Sequence, residues 1–188
     1  MCGSGTLVIE AALFACNIPV NINRKSFAFE KWKDWDEALF ETIKSSQLKK
    51  INNPNIQIKG SDKAPSAVEK ALQNIENANL SDFVSIEKKD FFQVEKETKG
   101  PLHLLTNPPY GERLEGDMNM LYQGIGDAFK QSFPNTQAWM ISSNMEALKY
   151  IGLRPSRKIK LFNGKLESRL LLYPIYEGTK RIHKLKDD

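Results

Sequence analysis

The 188-residue sequence has few of the residues that build metal centres and disulfide frameworks. It holds two cysteines and two histidines, and Cys2 and Cys16 have the spacing of neither a disulfide framework nor a zinc site. We therefore expect no metal, and a reduced, cytoplasmic setting fits best. The sequence also lacks a signal peptide and any run near the roughly 18 apolar residues that span a bilayer. We expect no membrane association.

The total charge is mild, but basic residues are unevenly spread. A formal net charge of +4 permits contact with a polyanion without requiring it. Basic residues gather at 154–160 and near the C-terminus, where solvated surface charge explains them equally well. With 40% hydrophobic and 27% charged residues, the composition is that of a globular domain. We assign 1–176 to one domain and expect 177–188 to be a basic, flexible tail.

Short strand-like and helical runs alternate along the chain and end in a predicted hairpin. Alternation or apolar runs predict strands, and helical spacing of apolar residues predicts helices. The last two strand-like runs flank Asn163-Gly164, a strong signal for a two-residue hairpin turn. These features predict an α/β sheet with an antiparallel edge. The predicted strands are 56–59, 83–86, 102–106, 137–141, 158–162 and 166–173, and the predicted helices are 7–13, 34–50, 64–78, 121–133 and 145–151.

A glycine-rich loop opens the chain. Residues 1–13 read Met-Cys-Gly-Ser-Gly-Thr-Leu-Val-Ile-Glu-Ala-Ala-Leu, in which a Gly-x-Gly turn leads into an apolar helix. Glycines let the backbone approach a ligand closely, and a helix N-terminus offers N–H groups. Ser4 and Thr6 are the candidate helix caps. Because flexible termini often contain Gly-Ser-Gly, this motif alone is weak.

A second motif, Asn107-Pro108-Pro109-Tyr110, follows the apolar run 102–105. The two prolines stiffen the backbone and leave its carbonyls outside a helix. Asn107 adds a side-chain acceptor and donor, and Tyr110 adds a flat face that can stack on a ring. Such a set suits a planar substrate with an exocyclic amino group. A structural turn is the alternative, since Pro-Pro pairs mark many loops.

Together the two motifs resemble those of Rossmann-like methyltransferases that depend on S-adenosyl-L-methionine. The match is best with the bacterial 23S ribosomal RNA guanine-N2 methyltransferase family, whose catalytic domain is of the UPF0020 type and follows an RNA-binding THUMP domain. Runs 107–114 and 162–167 also look like that family. The resemblance implies methyl transfer to guanine N2 of 23S rRNA in RNA processing. DNA adenine-N6 methylation and a non-catalytic RNA-binding fragment are the alternatives.

Within this resemblance, the loop Cys2-Gly3-Ser4-Gly5-Thr6 is expected to face the methionine portion and the ribose of the cofactor. Asp62 follows a predicted strand and can bind the ribose diol, or it can cap the next helix. Asp90 can accept from the adenine amino group, with Phe91 lining the ring, or it can cap a surface turn. Asn107 also lies near the cofactor in this interpretation.

For the chemistry, Asn107 and the Pro108 carbonyl can accept both hydrogens of the target amino group. Pro109 keeps the segment stiff, and Tyr110 can stack on a base that has left its helix. The aromatic residues of segment 27–35 can hold RNA by stacking, or they can pack in a core.

Two features depart from the usual pattern. Asp62 lies 57 residues after Gly5 (62 − 5), whereas the acidic residue usually comes about 20 residues after such a loop. The segment 17–55 is therefore interpreted as an insertion. The apolar strand and Asp-Pro pair that the family carries before the loop are missing, which predicts a gap between strands 56–59 and 102–106. We expect the chain to be a fragment of a longer protein.

Overall fold

The computed structural model describes residues 1–109 and 115–178, with the backbone alone at 115–117 and 163. Within this part the chain divides into two compact units. The glycine-loop unit comprises Cys2–Gly60 and Ala64–Glu87. The sheet unit comprises Met1, Ser61–Lys63 and the chain from Lys88 onward. Tyr110 and the predicted tail from 179 lie outside the described residues.

In the glycine-loop unit, helices form where apolar residues recur at helical spacing. Its helices are α1 (Thr6–Ala15), α2 (Glu37–Leu48) and α3 (Pro65–Asn77). The proline at the first position of α3 costs no hydrogen bond there, because that N–H has no partner inside the helix. The buried residues of this unit's core are Ala12, Ile75, Leu80 and Val84.

The two ends of the segment between α1 and β1 lie next to each other. The Asn52 amide donates to the Cys16 carbonyl at 2.9 Å, and the Asn17 side chain donates to the Lys50 carbonyl at 3.0 Å. A segment whose ends meet can be inserted without displacing the elements beside it. This geometry agrees with the interpretation of 17–55 as an insertion, which stays a prediction.

Two strands of this region pair with each other. Strand β1 covers Ile58–Asp62 and strand β2 covers Val84–Lys88, and together they form a two-stranded sheet. Strand β1 begins two residues later than predicted and runs on to Asp62, because its pairing with β2 sets the strand limits and local alternation does not.

The sheet unit contains a four-stranded sheet in the order β3-β4-β6-β5. Strands β3 and β4 are parallel, and the β4–β6 and β5–β6 pairs are antiparallel, which confirms the predicted α/β sheet with an antiparallel edge. One sheet face packs against α4 (Glu115–Ser132), with Tyr122, Ile125 and Phe129 buried in the core. The strands are β3 (Leu102–Thr106), β4 (Thr136–Ser142), β5 (Arg157–Asn163) and β6 (Leu166–Ile175).

The sheet register fixes what lies beside the second motif. Thr106 is paired with Met140, and Met140 with Leu171. Because β3 and β4 are parallel, their carboxyl ends meet at one edge of the sheet, where ligands of open α/β sheets bind. The Asn-Pro-Pro segment therefore leaves β3 beside the last residues of β4.

Other predictions differ in detail from the structure. The hairpin is confirmed, but Asn163 pairs with Leu166, so the two turn residues are Gly164 and Lys165. The predicted helix 145–151 is a 3-10 helix over Ala147–Ile151 that ends at Gly152, whose φ is 64°. In the described part of the chain, β1 pairs with β2 and β3 with β4, without a β1–β3 ladder. No helix formed by residues 1–109 and 115–178 has the length and apolar character to cross a membrane.

Candidate active site

The glycine loop is a tight turn that opens directly into α1. Gly3 and Gly5 have φ values of 56° and 85°, in the left-handed region that glycine adopts without strain. The Gly5 amide donates to the Cys2 carbonyl at 3.1 Å, which closes the turn. Gly5 is the N-cap of α1, and among residues 1–109 and 115–178 no side chain caps this helix. The prediction that Ser4 or Thr6 caps it is therefore wrong, because glycine's left-handed geometry occupies the cap position.

Close packing explains why Gly5 carries no side chain. A Cβ atom on Gly5 would lie 3.2 Å from the Cβ of Ala71 in α3. The Asn74 side-chain amide, one turn further along α3, donates to the Ser4 carbonyl at 3.0 Å. A Cβ on Gly3 would meet nothing within 4 Å. Helix α3 therefore holds one side of the loop in place, and the Gly3 side stays open.

A third glycine lies against the loop from strand β1. A Cβ on Gly60 would lie 2.6 Å from Ile86 Cδ1, 3.2 Å from Val8 Cγ1 and 3.4 Å from Cys2 Cβ. The missing side chain lets β1 approach both α1 and the loop. Sequence analysis did not select Gly60, although a glycine inside a strand is a signal for close backbone approach.

The two candidate carboxylates stand on neighbouring strand ends of the sheet unit. The Lys89 amide donates to the Asp62 carbonyl at 3.0 Å, which brings the end of β1 close to the residue before Asp90. The N-cap of α3 is Ala64, without a side-chain cap bond, so the alternative that Asp62 caps this helix is wrong. Asp90 Oδ1 accepts from the Phe92 amide at 3.1 Å and so caps a short 3-10 turn.

The rings that follow Asp90 differ in their surroundings. Phe91 is 5% exposed and stacks on Phe133 with ring centroids 5.9 Å apart, so its ring belongs to the core. Phe92 is 48% exposed. The role of Phe91 beside an adenine ring stays a prediction, and Phe92 is the more exposed ring of the two.

The Asn-Pro-Pro segment begins at a buried, unsatisfied hydroxyl. Thr106 is buried, and its Oγ1 has no hydrogen-bond partner in the described part of the chain. Asn107 and Pro109 are exposed, whereas Pro108 is fully buried. The segment is thus anchored by Pro108, with the Asn107 side chain accessible to a ligand. The predicted stacking residue Tyr110 lies outside the described residues.

A buried hydrogen-bond network supports the neighbouring strand end. The Tyr122 and Ser142 hydroxyls are 2.7 Å apart, and both side chains are fully buried. Ser142 Oγ also accepts from the Asn144 amide at 3.0 Å, and Asn144 Oδ1 accepts from the Ala147 amide at 2.9 Å. This network fixes the backbone at the end of β4. Sequence analysis missed it, because nothing local signals a bond between residues 20 apart.

Two groups have shifted pKa values, and both lie in cores. Burial, with a smaller contribution from Tyr122, raises the pKa of Tyr173 to about 12. Burial also raises the pKa of the Cys16 thiol. Both groups stay protonated at neutral pH and serve packing. Among residues 1–109 and 115–178, no cluster of histidine, cysteine and acidic residues is suited to a metal ion.

Each unit carries groups that suit a part of a nucleoside cofactor with a charged amino-acid tail. The loop leaves space beside the Gly3 Cα, and in the part of the chain that the structure describes no side chain caps the helix that follows. The sheet unit offers carboxylates at Asp62 and Asp90, which suit hydroxyl and amino donors. The unpartnered Thr106 hydroxyl precedes the acceptor segment. A glycine loop, acidic strand ends and an Asn-Pro-Pro segment define the class of Rossmann-like methyltransferase domains.

Comparison with known proteins identifies the family. Residues 1–171 match the model of the UPF0020 family, the RMKL-like methyltransferase domain, and the chain belongs to this family. The chain is 35% identical over 187 residues to the ribosomal RNA large subunit methyltransferase K/L of Cellvibrio japonicus, covering 93% of this chain and 25% of the relative. It is 37% identical over 185 residues to the protein of the same name from Psychromonas ingrahamii, with 93% and 24% covered. The chain thus spans about a quarter of these relatives.

Solved structures agree with the class. A possible methylase from Clostridium difficile 630 superposes with a TM-score of 0.84 at 32% identity, covering 96% of this chain and 48% of that one. SMU.472, described as a methyltransferase and solved with SAH, has a TM-score of 0.82 at 30% identity, with 95% and 48% covered. A predicted N6-adenine-specific DNA methylase from Listeria monocytogenes has a TM-score of 0.78 at 27% identity, with 93% and 45% covered. The predicted fold class and family are confirmed.

Proposed function

We propose that this chain is the catalytic part of an S-adenosyl-L-methionine-dependent methyltransferase that acts on an exocyclic amino group of a base in RNA, with guanine N2 of 23S rRNA the preferred target. The observation that carries the proposal is the Asn-Pro-Pro segment at the end of β3, in a chain that belongs to a methyltransferase family. The names of the curated relatives, which are ribosomal RNA large subunit methyltransferases, support the RNA substrate.

The proposed cofactor residues are those selected from the sequence. The loop Cys2-Gly3-Ser4-Gly5-Thr6 contributes backbone groups toward the methionine portion and the ribose, and the space beside the Gly3 Cα supports this role. Asp62 accepts from the ribose hydroxyls, and Asp90 accepts from the adenine amino group. S-adenosyl-L-methionine supplies the methyl group as a sulfonium. The SAH-bound structure of a methyltransferase with 30% identity to this chain supports this choice of cofactor.

The proposed chemistry needs position more than acid or base strength. The Asn107 side-chain oxygen and the Pro108 carbonyl accept the two hydrogens of the target amino group. With both hydrogens held, the amino nitrogen would present its lone pair to the methyl group that the bound sulfonium would supply, and one amino proton would leave to solvent. Holding two reactants in line in this way can contribute about 7–11 kcal/mol. The buried Pro108 and its stiff neighbours would keep both acceptors in place.

DNA adenine-N6 methylation is the second candidate. It is favoured by the Listeria monocytogenes neighbour, which is described as a predicted N6-adenine-specific DNA methylase. Adenine N6 presents the same two hydrogens as guanine N2, so the acceptor pair alone does not choose between them. A comparison of methyl transfer to RNA and to DNA distinguishes the two candidates. Transfer to RNA supports the first proposal, and transfer only to DNA would reject it.

The experiment that tests the acceptor role is the substitution Asn107→Ala. We expect loss of methyl transfer from labelled S-adenosyl-L-methionine to ribosomal RNA, because one amino hydrogen loses its acceptor. Cofactor affinity, measured by calorimetric titration, should stay near that of the wild type. Lys44→Ala, an exposed change on α2, is the control and should leave both readouts unchanged. Turnover that survives in Asn107→Ala would show that the acceptor assignment is wrong.

A further inference from the structure

The hairpin formed by β5 and β6 carries a surplus of positive charge. From 157 to 169 the sequence carries five basic residues and one acidic residue. Strand β5 lies at the edge of the four-stranded sheet, so within the described ranges 1–109 and 115–178 one of its long sides is unpaired. A basic, exposed edge is suited to a polyanion.

The sheet register gathers part of this charge on one face of the hairpin. Alternate residues of a strand share a face, so Lys158, Lys160 and Phe162 of β5 lie on the same side. Lys160 is paired with Arg169 of β6, and Phe162 is paired with Glu167. This basic face holds three cations and a single carboxylate.

Contacts on the basic face are those of exposed groups. Lys160 Nζ lies 2.8 Å from Glu167 Oε2 and 5.0 Å from the centroid of the Phe162 ring. Arg169 Nη2 lies 3.8 Å from Glu167 Oε1. Ion pairs as exposed as these contribute little to stability, so an incoming phosphate can take the place of the carboxylate at small cost. One carboxylate cannot neutralise both cations, and the face keeps a positive surplus.

Phe162 is the feature that charge alone does not explain. Its side chain is 64% exposed, although it stands on an edge strand of a sheet with a large core. Lysines on an edge strand can serve to prevent pairing with another sheet, but an exposed phenyl ring beside them works against that purpose. A flat ring flanked by cations is the arrangement that holds an unpaired base by stacking while the cations contact phosphates.

The aromatic segment of the glycine-loop unit lacks this combination. From 24 to 37 it has four basic and four acidic residues, so its charge cancels. Its rings pack on one another, with centroids 4.9 Å apart for Phe27 and Phe29 and 5.1 Å apart for Trp35 and Phe40. Phe27, Phe29 and Trp35 are half-buried and Trp32 is 67% exposed, so this cluster lies at the surface, and the choice between stacking on RNA and packing in a core stays open. The hairpin is the better candidate for contact with nucleic acid.

The basic face also lies in register with the carboxyl edge of the sheet. Ser142, the last residue of β4, is paired with Arg169, which is paired with Lys160. Thr106 is paired with Met140, and Ser142 lies two residues after Met140 along β4. The row of paired residues that contains Ser142 is therefore level with Pro108, which lies two residues after Thr106. Strands are about 4.8 Å apart, so Arg169 and Lys160 lie roughly 10 and 15 Å from the acceptor segment. Those distances correspond to a few nucleotides of a single strand.

We propose that the basic face of the β5–β6 hairpin, made of Lys158, Lys160, Phe162 and Arg169, binds single-stranded RNA next to the target base. The three cations contact phosphates on either side of a nucleotide whose base stacks on Phe162. This inference rests on the proposed function, which makes RNA the substrate, and adds the surface that holds it.

The test compares the affinity of the chain for a single-stranded RNA oligonucleotide over a series of salt concentrations. Lys160→Ala and Arg169→Ala should each weaken binding several-fold and lower the slope of log affinity against log salt by about 0.7, one phosphate contact on a single strand. Phe162→Ala should weaken binding by about five- to a hundredfold, the range for one lost stacking contact, and Phe162→Trp should restore it.

Lys44→Ala provides a matched control on α2. Lys44 Nζ lies 3.2 Å from Glu41 and 5.8 Å from the Phe40 ring, the same local chemistry on a different surface. It should leave RNA affinity and the salt slope unchanged. Cofactor affinity measured on every variant shows that the protein is folded, since the hairpin holds no proposed cofactor residue.

The outcomes separate this inference from the proposed function. RNA binding by the hairpin variants equal to that of the wild type and of Lys44→Ala would overturn the basic face as the RNA surface, as would a wild-type chain without measurable RNA affinity. Weakened RNA binding in the hairpin variants supports the surface even where Asn107→Ala retains turnover. In that case only the acceptor assignment fails.

Discussion

At the scale of single residues, the site depends on positions where a side chain is absent or is kept rigid. Gly5 has a left-handed φ of 85°, and a Cβ atom on Gly5 would be in tight contact with Ala71. Pro108 is buried and holds Asn107 at the surface. Both properties depend on backbone geometry, which glycine and proline determine directly. Glycine pairs and proline pairs were therefore the strongest signals in the sequence.

Substituting the loop glycines separates conformational strain from crowding. Gly5→Ala should lower the free energy of unfolding by about 1–3 kcal/mol, since alanine is strained at positive φ and its Cβ would lie 3.2 Å from that of Ala71. Gly3→Ala shares the strain, with a φ of 56°, but meets nothing within 4 Å and should cost less. Urea unfolding measures both. Equal losses for the two variants would mean that packing against α3 is unimportant.

At the scale of elements, sequence patterns found most helices and strands, and long-range pairing decided their limits. Leu102–Thr106 has the predicted bounds because apolar side chains fill it and prolines follow it closely. Strand β1 is offset, since β2 determines where the ladder ends. The turn at Gly164 is shifted by one residue because Asn163 pairs with Leu166. The Tyr122–Ser142 bond could not be predicted, because it joins an interior helix face to a strand end.

Helix α4 offers an element-scale test with two glycines of one helix. A Cβ on Gly126 would lie 1.8 Å from the carbonyl oxygen of Ile151, so Gly126→Ala must push apart α4 and the 3-10 helix Ala147–Ile151. We expect a loss of about 3 kcal/mol in the free energy of unfolding, read from urea denaturation. The added Cβ would meet backbone atoms, so no side-chain rotamer can relieve the clash.

Gly124→Ala is the matched control. Its Cβ would meet the Phe92 ring at 3.1 Å, and that half-exposed side chain can move aside. Alanine favours the helix by about 1 kcal/mol over glycine, which should offset the contact. If Gly126→Ala proved as harmless as Gly124→Ala, the close approach of α4 to Ile151 would be contradicted.

At the scale of the whole molecule, family membership and function rest on different grounds. The match over residues 1–171 establishes a methyltransferase domain of the RMKL-like family. The chain spans about a quarter of the curated relatives, so activity on a particular RNA is proposed and not inherited from them. The predicted domain limits, the insertion at 17–55 and the fragment hypothesis stay predictions.

We propose that the chain places a methyl group on guanine N2 of ribosomal RNA. The most direct measurement is mass analysis of nucleosides from 23S rRNA of cells that lack the gene, after incubation with the purified chain and S-adenosyl-L-methionine. We expect N2-methylguanosine to appear with the wild-type chain. Methylated adenine in a parallel DNA reaction, with ribosomal RNA left unmodified, would contradict it.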